Sequence, residues 1–276
     1  MKNRNIFHIG LWHAASTLLQ KEIFYNIPNY YFPNFSKRLI NKSISYIPKD
    51  FGKYFYYERP EIFKEFNKYK KPFIYSSELF SYINEHRSYY KTSYRGENPY
   101  IALTNLSKYV QDTNSHILFI IRNQSSIINS YYKRWSHLYE KENDLFIDFP
   151  YEKKKHLSER TLKFHSKYGM IYLDTFNYRI KLSILTNFIN LKNILIIPYE
   201  YLIINKPLFI EKLSNVFQKD LKFLLPNLEK KINSSENIGK KTLSKKFLSK
   251  IQNEFKLDNK ILSKKFKLNL KKLGYY

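Results

Sequence analysis

The chain has 276 residues, with 48 Lys+Arg against 23 Asp+Glu, a formal net charge of 48 − 23 = +25 with histidine neutral. Hydrophobic residues make up 43% and aromatics 18%, enough apolar surface to offset the ordering entropy that keeps polar chains disordered. The absence of cysteine excludes a disulfide framework, a thiolate metal site and a thiol nucleophile.

Residues 5–9 form a short apolar run ended by Gly10 and predict a buried strand. Helical spacing follows over residues 17–24, with Ser16 or Thr17 near the cap. Residues 26–57 are rich in Pro and Tyr and read as irregular. A helix is expected after Pro60, a second strand over 71–75 running into Ser76-Ser77-Glu78, and a helix from Pro99 through Val110. His116-Ile117-Leu118-Phe119-Ile120-Ile121 is the clearest strand, with a helix from about Ser126 after it. Residues 141–170 are polar, lack a clean period and read as an insertion or lid. A helix over 173–189, a strand over 193–197 closed by Pro198, and a helix over 207–217 complete the pattern. In the Lys-rich tail, Leu243, Phe247, Ile251 and Phe255 recur every four residues, the apolar stripe of an amphipathic helix.

Short apolar strands alternating with helices predict an α/β fold, a P-loop-like parallel β-sheet with helices on both faces. The expectation is one domain, with a core of about residues 5–220 and a basic helical extension over 221–276. Ligands of such sheets sit at the carboxyl ends of strands, which singles out residues 10–17, 76–78, 122–130 and 199–200. The amino terminus runs straight into the first strand without a signal-peptide pattern, and no apolar run approaches the ~20 residues of a membrane span. A cytoplasmic protein is expected. A charge of +25 attracts polyanions, but lysine is spread along the whole chain, so a nucleic-acid partner is the lesser reading.

Two strand ends carry anion-binding chemistry. Gly10-Leu11-Trp12-His13-Ala14-Ala15-Ser16-Thr17 is a strand–turn–helix junction, where backbone N–H groups and the helix dipole favour a phosphate. Against the Walker pattern G-x-x-x-x-G-K-[ST], Gly10 fits, Ala15 replaces the second glycine and Ser16 stands where lysine should be. Arg122, at the end of the third strand, can offer its fork to a second anion, with Ser130 eight residues on. Two anion sites without a Walker lysine describe a nucleotide phosphorylated at two places.

In this combination the chain resembles the sulfotransferases that use 3′-phosphoadenosine-5′-phosphosulfate (PAPS). The first loop is similar to that family's G-x-x-K-x-G-T-T, and the Arg122–Ser130 spacing matches its second motif. Ile117 through Arg122-Asn123-Gln124 looks like the bacterial, carbohydrate-type branch, as do Leu18-Leu19-Gln20, Ile74-Tyr75-Ser76-Ser77-Glu78 and Asn193 through Pro198-Tyr199-Glu200. The resemblance covers roughly residues 5–220.

The resemblance implies that Gly10, His13, Ala14, Ala15, Ser16 and Thr17 embrace the 5′-phosphosulfate, and that Arg122 and Ser130 hold the 3′-phosphate. Lys240, in Asn237-Ile238-Gly239-Lys240-Lys241, echoes the family's late basic segment. His13 replaces the family lysine on the leaving phosphate, and Ala15 a glycine, tolerable where φ is negative. Glu78 is the candidate base for the acceptor hydroxyl, with His137 the second choice. No metal is implied. The acceptor expected is a carbohydrate or glycolipid hydroxyl, and the basic tail either packs on the core or rests peripherally on an anionic membrane. The rival readings are a P-loop kinase-like nucleotide-binding protein and a non-catalytic basic protein for nucleic acid or membrane.

Overall fold

A computed structural model describes residues 4–11, 14–32, 72–77, 84–85, 99–135, 161–162, 170–172, 176–229 and 242–276. Strand β1 (Ile6–Gly10) is buried at every position, as a continuous apolar run in the middle of a parallel sheet must be. It pairs in parallel with β2 (Ile74–Ser77) on one side and with a later strand, His116–Ile121, on the other. The expected first helix is present but begins as a single α-turn, α1 (Ser16–Leu18). It continues as a π-helical turn over Leu19–Ile23 and a 3-10 turn over Phe24–Asn26.

A two-residue strand, β3 (Asn84–Glu85), precedes α2 (Pro99–Asp112), which Pro99 opens as its fixed φ favours. The strand over His116–Ile121 is β4, with the bounds its apolar run predicts. Helix α3 (Gln124–Trp135) starts two residues before the expected Ser126. The cause is Asn123, whose Oδ1 accepts from the Ser126 N–H at 3.1 Å, an N-cap that the apolar period does not register.

Strands β5 (Thr161–Leu162) and β6 (Met170–Tyr172) follow, so the segment over 141–170, expected as an insertion or lid, contains β-structure where it is described. Helix α4 (Tyr178–Thr186) is shorter than the expected 173–189. Asn177 sets its start, its Oδ1 accepting from Ile180 N. Strand β7 (Ile194–Pro198), α5 (Glu200–Ile204), α6 (Lys206–Phe217) and the long α7 (Lys245–Lys265) complete the order.

Among the described residues, the strands form two sheets. The four-stranded one has the order β2-β1-β4-β7, all parallel, flanked by helices. Its register sets Gly10 beside Ile120 and Ile121 beside Pro198, so β1, β4 and β7 end on the same edge. Pro198 is tolerated because β7 lies at the end of that strand order. The second sheet is antiparallel, in the order β3-β6-β5.

The chain passes repeatedly between two compact units. The first comprises residues 1–80, 100–121 and 184–233 and contains the parallel sheet. Its core packs Phe7 edge-on against Phe73 and Tyr109, each at 5.6 Å. The second comprises residues 81–99, 122–183 and 234–276. There α7 packs on α3 through Ile251, Phe255, Asn259 and Leu262, all buried. The four-residue repeat read from the tail is therefore a packing stripe. Among the described residues, no helix is long and apolar enough to cross a membrane.

Candidate functional site

The loop after β1 lies in the first unit. Ala14 and Ser16 are buried and Thr17 is half-buried. Ala14 N donates to Leu11 O at 3.2 Å, closing a tight turn. Ala15, not Ser16 or Thr17, occupies the cap, with φ 64° and ψ 9°. The condition under which alanine replaces glycine without strain, a negative φ, is not met. The left-handed backbone costs an L-residue roughly 1–2 kcal/mol.

The Ser16 side chain is 2% exposed, and its Oγ has no hydrogen-bond partner among the described residues. A buried hydroxyl in that state carries a desolvation cost unless a ligand satisfies it. A Cβ on Gly10 would lie 3.3 Å from Ile120 O, 3.6 Å from His8 Nε2 and 3.8 Å from Ser16 Oγ. The missing side chain thus lets β1 approach β4 closely beside two polar atoms. The first N–H groups of a helix have no partner within it, so α1 adds backbone donors at the same turn.

His8 is fully buried. Its Nδ1 is 2.7 Å from Ser76 Oγ, which also accepts from Gln20 Nε2 at 2.9 Å. Burial pushes the His8 pKa down to about 3, so the ring is neutral. His8, Ser76 and Gln20 tie β1, β2 and the π-helical turn together. No sequence motif assigns His8 or Gln20 this role, although a histidine inside an apolar strand is a visible signal.

The second candidate anion site lies in the other unit. Arg122 follows β4 directly in the chain, and its Nε and Nη2 donate to Ser126 Oγ at 3.2 and 3.0 Å. The fork is therefore oriented by Ser126, one helical turn on, a residue that the Arg122–Ser130 spacing does not reveal. Ser126 and Ser130, four residues apart on α3, share a face. Tyr178 clamps the Arg122 backbone: its hydroxyl accepts from Arg122 N at 3.1 Å and donates to Arg122 O at 2.6 Å. Asn129 holds the start of the tail by accepting from Leu243 N at 3.0 Å.

Gln124 and Asn259 exchange two amide hydrogen bonds of 3.0 Å each, and Asn259 also donates to Tyr275 O at 3.1 Å. Asn123 donates to Gly274 O. Two of the three residues of Arg122-Asn123-Gln124 thus anchor the carboxyl-terminal segment, a role the motif alone did not reveal.

Four expected site residues, His13, Glu78, His137 and Lys240, lie outside the described residues. Gly10, Ala14, Ala15, Ser16 and Thr17 are brought together at one turn, whereas Arg122 precedes α3 and Ser130 lies within it. Among the described residues, no cluster of three or more His, Asp or Glu is placed to hold a metal ion.

Two sets of donors, one in each unit, suit an anionic group. One is the buried Ser16 hydroxyl at a turn where a Cβ on Gly10 would intrude. The other is the oriented Arg122 fork. No family model matches the chain, and no curated protein matches it. Among solved structures, it is similar to a sulfotransferase from Alicyclobacillus acidocaldarius. That similarity has 10% identity, covers 96% of each chain and has a TM-score of 0.53. A mouse sulfotransferase, SULT7A1, complexed with PAP, is similar at 14% identity over 83% of this chain and 63% of that chain, with a TM-score of 0.39. The parallel sheet and its flanking helices, matched end to end by the bacterial structure, give this chain the fold of a sulfotransferase.

Proposed function

We propose that the protein is a PAPS-dependent sulfotransferase acting as one functional domain, moving a sulfuryl group to a hydroxyl of a carbohydrate or glycolipid. The observation that carries the reading is Ser16: a buried hydroxyl without a partner, at a strand-to-helix turn ending a strand of a parallel sheet. The sulfotransferase-like fold supports the same reading.

In this mechanism the turn over residues 10–17 would hold the 5′-phosphosulfate through Ser16, Thr17 and backbone donors. Arg122, steadied by Ser126 and Tyr178, and Ser130 would hold the 3′-phosphate. PAPS supplies an activated sulfuryl group. The chain's part is in-line positioning, charge neutralisation and proton transfer. Glu78 would take the acceptor proton, and His13 would donate to the leaving phosphate. Lys240 would add charge at the 3′ end.

The outward face of α7 carries Lys250, Lys256, Lys260 and Lys264 around Leu257 and Ile261, 68% and 41% exposed. That combination suits peripheral contact with an anionic membrane and favours a lipid-linked acceptor.

Thermal unfolding with added nucleotide tests the reading, since a ligand that binds only the native state raises stability. The product nucleotide, 3′-phosphoadenosine 5′-phosphate, should raise Tm while ATP with Mg²⁺ does not. Arg122→Lys should weaken the nucleotide roughly 10-fold or more, because a point charge cannot replace the fork. Stabilisation by ATP–Mg²⁺ alone would favour the kinase-like reading. No response to either nucleotide would remove the enzyme.

A further inference from the structure

Within the second unit, the segment over 270–276 is bonded to the start of α3. Leu270 and Tyr275 are buried, and Tyr275 N donates to Leu270 O at 3.1 Å, which folds the segment on itself. Gly274 takes a φ of 77°, a conformation that strains an L-residue. Its carbonyl accepts from Asn123 Nδ2 and, at 2.9 Å, from Gln252 Nε2. The other end of the Asn123 amide serves α3: Oδ1 accepts from Ser126 N at 3.1 Å and from Ser125 Oγ at 2.6 Å. Only the oxygen can receive those protons, so the nitrogen must face Gly274 O. Ser126, in turn, accepts the Arg122 fork on its Oγ.

We propose that Asn123 and the Gly274 carbonyl form a latch that presets the Arg122 fork for the 3′-phosphate, with Asn123 a positioning residue rather than a ligand. The amide is one rigid plane, so the bond from Nδ2 to Gly274 O fixes where Oδ1 receives the Ser126 N–H. That placement fixes the Ser126 hydroxyl on which Arg122 Nε and Nη2 rest. Ordering a long side chain loses rotamer freedom, and a fork ordered during folding does not lose it again on binding. The inference rests on the 3′-phosphate reading of Arg122 and adds to it a contact from a residue 151 positions along the chain from Asn123.

Two measurements test it on the full chain, each in Asn123→Ser and Gly274→Ala. Serine caps a helix about as well as asparagine but lacks the amide that donates to Gly274 O. A Cβ on Gly274 would lie 4.0 Å from Asn123 Nδ2, an ordinary contact, so that change acts through the strained backbone carrying the carbonyl. The first measurement needs no nucleotide. In protein with ¹⁵N-labelled arginine, the Arg122 Nε–H signal, assigned by its loss in Arg122→Lys, reports exchange with water. Exchange should quicken about 3-fold or more in both variants, as the bond to Ser126 loosens. Unchanged exchange in both overturns the proposal.

The second measurement compares affinities for 3′-phosphoadenosine 5′-phosphate and for adenosine 5′-phosphate, which lacks the 3′ group. Each variant should weaken the bisphosphate about 3- to 10-fold, the scale of one hydrogen bond, and leave the 5′-monophosphate unchanged. In the Arg122→Lys background, Asn123→Ser should cause no further loss, because the latch then has no fork to hold. Equal loss for both nucleotides, or a loss that adds to that of Arg122→Lys, would show that Asn123 only supports the fold. If the wild-type protein binds neither nucleotide, the sulfotransferase reading fails, and the Arg122 exchange rate alone decides whether the latch holds the fork.

Discussion

Ala15 sits where local backbone energetics meet the loop proposed to hold the 5′ anion. Its φ of 64° places an L-residue in the left-handed region at the entry to α1. Replacing it with glycine removes about 1–2 kcal/mol of native strain. The same change returns roughly 0.4–1 kcal/mol of conformational freedom to the unfolded chain. Strain is the larger effect, so Ala15→Gly should stabilise the protein by about 0.5–1 kcal/mol, read as a higher midpoint in urea at constant m-value. A lower midpoint would mean that the Ala15 methyl makes packing contacts worth more than the strain it brings. Residue types at 10–17 are legible as a candidate anion loop. The sign of φ at Ala15 is not, because it is set by the Leu11–Ala14 turn and the approach of β1 to β4 rather than by any local preference of alanine.

At the scale of elements, strands were the most legible features, since β1 and β4 are buried at every position and read as unbroken apolar runs. Helix starts were less so. Asn123 and Asn177 fix α3 and α4 through side-chain caps, and a period of 3.6 residues carries no information about a cap. The tail shows both cases. Its apolar stripe predicts α7, yet the next step of the same four-residue series is Asn259, a polar residue buried on the packing face.

Asn259 is accommodated because Gln124 matches it donor for acceptor and Tyr275 O takes its second proton. Such a pair is stable only while complete. Asn259→Asp keeps the volume but cannot donate to Gln124 Oε1 and Tyr275 O, and it buries a carboxylate. The expected loss is about 2–4 kcal/mol, from two unmade bonds and the cost of a partly compensated buried acid. Asn259→Leu should lose less than Asp, since it leaves unsatisfied partners but adds no charge. Denaturant midpoints of the two variants check the order. If Leu were the worse substitution, shape rather than hydrogen bonding would govern the α3–α7 contact.

For the whole molecule, a net charge of +25 and a buried neutral histidine make the same qualitative demand: stability should fall on acidification. His8 has a folded pKa of about 3 against an ordinary 6.5. Below pH 6.5 the unfolded chain therefore binds a proton that the native chain refuses, and stability falls with pH from 6.5 toward 3. Between pH 7.5 and 5.5 this one group should remove roughly 1.4 kcal/mol of stability.

His116 adds to the loss in the same direction. Burial and the Arg4 guanidinium, whose Nη1 lies 3.1 Å from His116 Nε2, hold its pKa below the ordinary value. Charge repulsion also grows as pH falls, and salt separates the two causes. Repulsion between exposed lysines is screened at high ionic strength, whereas the refusal of a proton inside a dry strand is not. Urea midpoints between pH 7.5 and 5.5 should therefore keep most of their slope in 0.5 M NaCl, and His8→Asn should lose the larger part of it. A slope that disappears in salt would assign the acid sensitivity to the lysine surface and leave His8 without a measurable part in it.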